Sequence, residues 1–409
     1  MATLDAARAR DAADPLAPMR ARFALPAGKI YLDGNSLGVL PQRTMARMER
    51  VVTREWGQDL IGSWNAHDWI GAPLRIGDRI APLIGAAAGE VAVADSTSAN
   101  LFKLLAAAIA ARPGRRTILS EPGNFPTDLY VASGVADFMG ATLKTVPADR
   151  IVEAIDDDVA VVLLTHVHYK TARRLDMATI TAAAHAAGAL TLWDLSHSVG
   201  AVPVDLNDAG ADLAVGCGYK YLNGGPGAPA FLFVAGRHHA RLRSPLSGWM
   251  GHSTPFAFDD GYDPAPGIAR FLCGTPPILG LAALEEGLAL FEEVDFTAVT
   301  AKSVALSTLL IERVEERCAA FGLELATPRD PAARGSHVSF RHPHAYALCQ
   351  ALIEDGVVGD FRAPDILRFG LTPLYLGYAD VWQAVEKLHD ILEQRRWDDP
   401  RFRVAMRVT

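Results

Sequence analysis

Cysteine is scarce in this chain: four in 409 residues. Cys217, Cys273, Cys318 and Cys349 are far apart and make no C-x-x-C pair. That excludes a disulfide scaffold or a zinc ribbon and leaves reduced core thiols. Positive charge is short as well. Lys and Arg number 39 against 47 Asp and Glu, a net charge of −8, with an isoelectric point near 5.8. This balance argues against nucleic acid or an anionic membrane as the main partner. No apolar run reaches the ~18 residues of a membrane span, and the opening MATLDAARARDAADPLAPMR is polar with alternating charge. The expectation is a cytoplasmic protein without a leader. Internal repeats and low-complexity tracts are also missing. What is there is a chain that is 50% apolar, long enough for a large core in two lobes.

The middle of the chain alternates apolar strand-like runs with alanine-rich helical stretches. The strand candidates are 91–95, 117–121, 159–167, 189–194, 212–217 and 229–234; the intervening helix candidates include 99–111 and 177–188. Continuous apolar strands separated by helices predict an α/β fold with a mostly parallel sheet covered on both faces. Ligands of such sheets sit at the carboxyl ends of the strands, where Asp95, Glu121, Thr165, Asp194 and Cys217 fall. After Pro277 the pattern changes to helical stretches (278–293, 297–321, 378–395) around two short strand-like runs (335–341, 357–361), a smaller α+β unit. The predicted division is an N-terminal arm 1–28, a large domain 29–292 and a small C-terminal domain 293–409.

Lysine is the scarcest charged residue, with seven in all, and one of them stands out. In ADLAVGCGYKYLNGGPGAPA (211–230) a short apolar strand runs into Tyr219-Lys220 and then a Gly/Pro-rich loop. A lysine there loses solvation, which lowers an amine pKa and makes it nucleophilic. Upstream, LWDLSH ends a second apolar strand in Asp194, with His197 three residues on. A Schiff-base lysine plus an aspartate that keeps a pyridinium nitrogen protonated is the pair that pyridoxal 5'-phosphate (PLP) chemistry needs. The alternative is a surface lysine at a strand end.

Other residues add chemistry of the same kind. In DSTSANLFKLL (95–105), Thr97 and Ser98 stand just before a predicted helix, as a plain cap or a phosphate site. NFPTD (124–128) offers Phe125 as a ring to stack on a planar cofactor and Asp128 as a carboxylate, or else a Pro turn with a core Phe. His166 and His168 point the same way along a strand, but no third metal ligand stands beside them. Arg173-Arg174 read equally as an anion site or a solvated face. GWMGH (248–252) and CGTPPILG (273–280) read as rigid loops. Arg368, in RFGLTPLY, is read at a strand start, as a two-point clamp on a carboxylate or a surface ion pair.

YLDGNSLG (31–38), STSANLFKLL, NFPTD, DLSHSVG (194–200), GYKYLNGGPG (218–227), LSGWMGH (246–252), GTPPIL (274–279) and RFGLTPLY span nearly the whole chain in order. Together they resemble kynureninase of the bacterial type, a PLP-dependent family of the aspartate-aminotransferase fold (fold type I). YLDGNSLG and YKYLN-GG are specific to the family; the S-x-N-x-F and D-x-x-H elements are shared across the fold class. The resemblance implies a large domain with a mostly parallel seven-stranded sheet. It implies that Lys220 binds PLP covalently, that Asp194 pairs with the pyridinium nitrogen with Asp128 close by, and that Phe125 stacks on the ring, with Pro126 and Thr127 alongside. Thr97, Ser98, Thr165, His197 and Tyr219 would surround the phosphate and ring hydroxyl. Trp249 and Thr275 would come from the neighbouring subunit of a homodimer. Arg368 would hold the substrate carboxylate, and Ser36 and Trp64 would line the substrate site.

The implied reaction is hydrolysis of L-kynurenine at Cβ–Cγ to anthranilate and L-alanine, with Lys220 moving the α-proton and Tyr219 supplying a late one. Some relatives have Asn in place of Thr275 and His in place of Trp64. Both differences remove polar partners for a ring hydroxyl and favour L-kynurenine over 3-hydroxykynurenine. Two other readings compete. A cysteine desulfurase needs a reactive cysteine on a mobile loop, whereas Cys349 lies in the helical pattern HAYALCQALIED. A non-catalytic PLP-binding regulator would carry a basic domain or lack Lys220.

Overall fold

The computed structural model describes residues 3–258 and 260–404. Its centre is a seven-stranded sheet: β1 (Val91–Val93), β2 (Thr117–Ser120), β3 (Thr142–Thr145), β4 (Val159–Thr165), β5 (Leu190–Asp194), β6 (Leu213–Cys217) and β7 (Ala230–Val234). The order is β1-β7-β6-β5-β4-β2-β3. All neighbours are parallel except β7, which runs antiparallel to both β1 and β6. Every residue of β4 to β7 is buried, because each strand feeds both faces. Leu190 and Leu192 enter one core and Trp193 the other; Leu232 and Val234 divide in the same way from Phe231 and Phe233.

Helices Thr97–Ala110 and Pro126–Met139 pack on each other over one face. Met177–Ala186 and Ile278–Leu288 contribute to the opposite core. Six strands lie where the apolar runs predict them. The seventh, β3, reads TLKT, is mostly exposed and forms the sheet edge, where one flank is wet and no apolar run is needed.

A second sheet is antiparallel, in the order Asp360–Arg362, Ile366–Gly370, His337–Arg341, Glu324–Leu325. Helices Phe296–Cys318 and Tyr378–Glu393 pack against each other. The carboxylate of Asp11 in the first helix, Leu4–Ala12, accepts the N–H groups of Tyr378 (2.6 Å) and Ala379 (3.0 Å). It thereby caps the positive end of the last long helix. Ile30–Tyr31 pairs in parallel with Val357–Val358, and Asp33 bridges Gly370. Among the described residues no single helix is long and apolar enough to cross a membrane.

Candidate active site

Segments at the carboxyl ends of β1, β2, β5 and β6 meet at one end of the large sheet and frame a cleft of about 440 Å³. Lys220 enters it three residues after β6 and is buried, 8% exposed. The chain then turns through Asn223, which has φ +56°. A glycine from far upstream seats this turn. Gly38, the last residue of YLDGNSLG, donates its N–H to the Tyr219 carbonyl at 2.8 Å. A Cβ at residue 38 would lie 2.3 Å from the Lys220 carbonyl oxygen and 2.7 Å from Asn223 Cα. Only glycine allows that backbone approach, so the motif is tied to the lysine by contact.

Around Lys220 Nζ stand His197, with Nε2 at 3.4 Å, and the rings of Phe125 (5.7 Å) and Tyr219 (5.8 Å). Burial, and then the neighbouring Lys220, push the His197 imidazole well below its usual range, so it is neutral. On the other wall two buried carboxylates face each other. Asp194 Oδ1 accepts the Ser196 N–H at 2.7 Å; Asp128 is reached by Thr165 Oγ1 at 3.4 Å. Burial and the adjacent Asp194 drive the Asp128 carboxyl well up. Two such groups share one proton unless a cationic N–H is placed against them.

A helix N-terminus closes the far end. Ser96, not Thr97 or Ser98, is the N-cap: its hydroxyl accepts the Ala99 N–H at 3.3 Å. Thr97 and Ser98 form the first helical positions, a correction of two residues in the helix start that leaves their N–H groups at the anion-attracting end. The bend into this helix is made by Asp95, at φ +52°. It is held at 2.7 Å by the fully buried Lys103, which also donates to the Phe271 carbonyl at 2.8 Å.

These residues fit PLP. The paired carboxylates match a protonated ring nitrogen, Phe125 offers a ring face, the helix start suits a phosphate, and Lys220 is the buried amine. Of the predicted residues, Thr97, Ser98, Phe125, Thr127, Asp128, Asp194, His197, Tyr219 and Lys220 line one cleft. Pro126 starts the helix beside it, and Thr165 sits behind Asp128.

Trp249, Thr275 and Trp64 do not line the cleft of their own chain. Trp64 packs edge-on against Trp249 at 6.0 Å, and Thr275 borders a small separate cavity. Arg368 lies in the middle of strand Ile366–Gly370, not at its start, and is 1% exposed. Its Nε and Nη2 hold Asp360, its Nη1 holds the Tyr169 carbonyl, and Nη2 also reaches Ser36 at 3.1 Å. The Tyr169 ring in turn touches Phe125 at 5.3 Å.

The two histidines of THVHY do not converge: His166 Nδ1 meets Ser198 Oγ at 2.9 Å and His168 Nε2 meets the Gly123 carbonyl at 2.8 Å. Arg173 pairs with Glu121, and Arg174 bonds the Ala332 carbonyl. Sequence reasoning missed Ser196 in the cleft wall, although DLSH contains it. It also missed His337, a fully buried ring 5.5 Å from His197 with neither nitrogen partnered among the described residues. SHVSF reads as an ordinary strand and gives no signal for it.

A family model described as the kynureninase C-terminal domain matches residues 299–388. A kynureninase from Burkholderia pseudomallei is 54% identical over 417 aligned residues, covering 100% of both chains. One from Pseudomonas fluorescens is 53% identical with the same coverage. The chain belongs to the kynureninase family. Among solved structures, a cysteine desulfurase from Thermococcus onnurineus matches with a TM-score of 0.78 at 18% identity, over 92% of this chain and 98% of that one. The desulfurase CsdA from Escherichia coli matches with a TM-score of 0.77 at 21% identity, over 93% and 98%. At such identity the likeness establishes the shared fold type I architecture and nothing more. Nor does this kynureninase-family chain offer a desulfurase thiol at Cys349, which is fully buried inside helix Ala345–Glu354.

Proposed function

We propose that this chain is a PLP-dependent kynureninase that hydrolyses L-kynurenine to anthranilate and L-alanine, as in tryptophan breakdown, with 3-hydroxykynurenine as a poorer substrate. One observation carries the reading: full-length relatives of that name at 53–54% identity, in a chain whose cleft gathers the lysine, the carboxylate pair and the aromatic face. When bound, PLP supplies the electron sink that makes the α-proton, and then the Cβ–Cγ bond, breakable. The protein supplies placement and protons.

In this reading Lys220 anchors the cofactor and, once freed, carries the α-proton between carbons. Neutral His197 beside it keeps a like charge away from the amine. Asp194, backed by Asp128, holds the proton on the ring nitrogen. Thr97 and Ser98 bind the phosphate with backbone N–H groups and hydroxyls. Tyr219 is the acid that completes the alanine side. Arg368 and Ser36 hold the α-carboxylate.

The reading includes a cytoplasmic homodimer in which Trp249, Thr275 and Trp64 complete the neighbour's site. Exposed apolar residues support that association. Met45, Val52 and Trp56 recur along one helical face, followed by Leu60 and Ile61, the last 80% exposed. It also includes an arm 1–28, a large lobe 29–292 and a small lobe 293–409, supported by a separate sheet in each lobe, with residues 30–33 crossing to the small lobe's strands.

The test is anthranilate fluorescence from the PLP-loaded protein supplied with L-kynurenine, alongside sulfide release from L-cysteine. Anthranilate without sulfide is the expected result; the reverse would assign the chain to the desulfurases, and neither product to a binding protein.

A further inference from the structure

Arg368 does not stand alone. Asp360 Oδ2 receives Arg368, Arg362 Nη2 at 2.8 Å and Ser36 Oγ at 2.8 Å. A second carboxyl, Asp33 of YLDGNSLG, is placed by the bridge of its backbone to Gly370, two residues from Arg368, and faces Asp360; its Oδ1 is buried with no partner among the described residues. The cluster thus gathers two guanidiniums and two carboxyls. If both carboxyls are ionised its net charge is zero; if one is protonated it is +1.

Resting on the assignment of this pocket to the substrate carboxylate, we propose that Asp33 is a positioning residue that sets the pocket's charge. Held neutral against Asp360, it leaves Arg362 and Arg368 with one uncompensated positive charge for the incoming carboxylate.

Geometry decides which carboxyl takes the proton. Asp360 touches both arginines, whereas Asp33 faces the Asp360 anion. Although burial works against it, Arg368 and then Arg362 hold the Asp360 carboxyl down at about 2. Burial, and then Asp360, push Asp33 up to about 7.

Among the described residues no other group facing Asp33 changes charge near neutrality. From its own segment comes Tyr31, from the loop after β6 Tyr221, from the turn after Gly370 Tyr375, and from helix Ala345–Glu354 Cys349; burial pushes all four upward, so they stay neutral. His337, beside Arg368 and Asp360, is pushed well below its usual range by burial and is neutral too. Asp33 is therefore the group in this cluster whose titration changes its charge. Because its carboxyl is raised, it is neutral below about pH 7 and ionised above, and carboxylate affinity falls as pH rises.

The spare capacity lies where this requires it. Four of the five N–H groups of Arg368 are taken. Arg362 is a third exposed, and its bonds among the described residues run from Nη1 and Nη2. A carboxylate would be shared between the two arginines, and charge rather than one bidentate fork would set its affinity.

The probe is 3-benzoylpropionate, which has an aryl ketone chain and a carboxylate but no amine to react with PLP. Its inhibition constant against L-kynurenine is measured from pH 6 to 8.5 on the PLP-loaded enzyme. In the wild type it should rise roughly five- to tenfold across that range, since each pH unit above a linked pKa changes affinity up to about tenfold. In Asp33→Asn it should stay flat at the low-pH value. A flat wild-type profile, or an unchanged slope in Asp33→Asn, would overturn the assignment of Asp33. Arg362→Gln, which removes one of the two positive charges on Asp360, separates this from failure of the underlying reading: if that variant binds the probe as tightly as wild type, the pocket does not hold the carboxylate. Should Asp33→Asn not fold, calorimetry of probe binding to the wild type at pH 8, in two buffers of different ionisation enthalpy, decides. Proton uptake of a sizeable fraction per site is expected, and none would refute the proposal.

Discussion

Replacing Asp194 by Asn should weaken the holoenzyme while sparing or strengthening the apoprotein. In the structure the Asp194 carboxylate, 3% exposed, faces the fully buried Asp128. Burial, and then the Asp194 charge, drive the Asp128 carboxyl up, and without a cation between them one of the two must carry a proton. An amide at 194 keeps its oxygen for the Ser196 N–H, now at 2.7 Å, and can donate to Asp128, so the like-charge conflict ends. It cannot hold a pyridinium proton. A hydrogen bond to a charged group contributes about 1.5–3 kcal/mol, and about 1.4 kcal/mol is tenfold; kcat/KM on L-kynurenine should fall roughly 10- to 150-fold.

The pH dependence carries a sign. A carboxyl raised by folding leaves the unfolded chain ionised while the folded one stays protonated. Its contribution is intact below the unfolded value near 3.9 and is lost as pH rises toward the folded value. The wild-type apoprotein should therefore lose melting temperature over that window, and Asp194→Asn should flatten the loss. The assays are anthranilate fluorescence for turnover and thermal melts of apo and PLP-loaded protein across pH. Wild-type kcat/KM in Asp194→Asn, or an apo melting temperature several degrees below wild type at neutral pH, would refute the reasoning.

Lys220→Ala should lose turnover and the visible absorbance of the lysine-bound cofactor together; retention of both would move the anchor elsewhere. Arg368→Lys should raise KM by on the order of tenfold or more, since an ammonium cannot replace the planar contacts to Asp360, Tyr169 and Ser36, with PLP content unchanged; an unaltered KM in folded protein would pass the role to Arg362. Gly38→Ala should displace the Lys220 backbone, because the new methyl would start 2.3 Å from its carbonyl. Lowered kcat and a shifted cofactor spectrum are expected, and wild-type values for both would mean the turn adapts freely.

The sequence by itself determined the large sheet and the identity of its chemical groups. Strands buried on both faces must be apolar on both faces, so β1, β2 and β4 to β7 announce themselves, and Asp194 and Lys220 are legible because polar groups interrupt those runs at the strand ends. The family-specific YLDGNSLG is equally plain as text. Its purpose is not: that Gly38 seats the lysine turn, and that Asp33 meets Asp360 across 327 positions of chain, follows only when residues 30–36 lie along the small sheet. Edge strand β3 escaped because one wet flank requires no pattern. The register that put Arg368 in mid-strand, the step from Thr97 to Ser96 at the helix cap, and the orphaned His337 beside His197 were likewise settled by tertiary packing. Local sequence fixes which face a residue shows, but burial, partners and charge state arise from whatever distant segment is packed against that face.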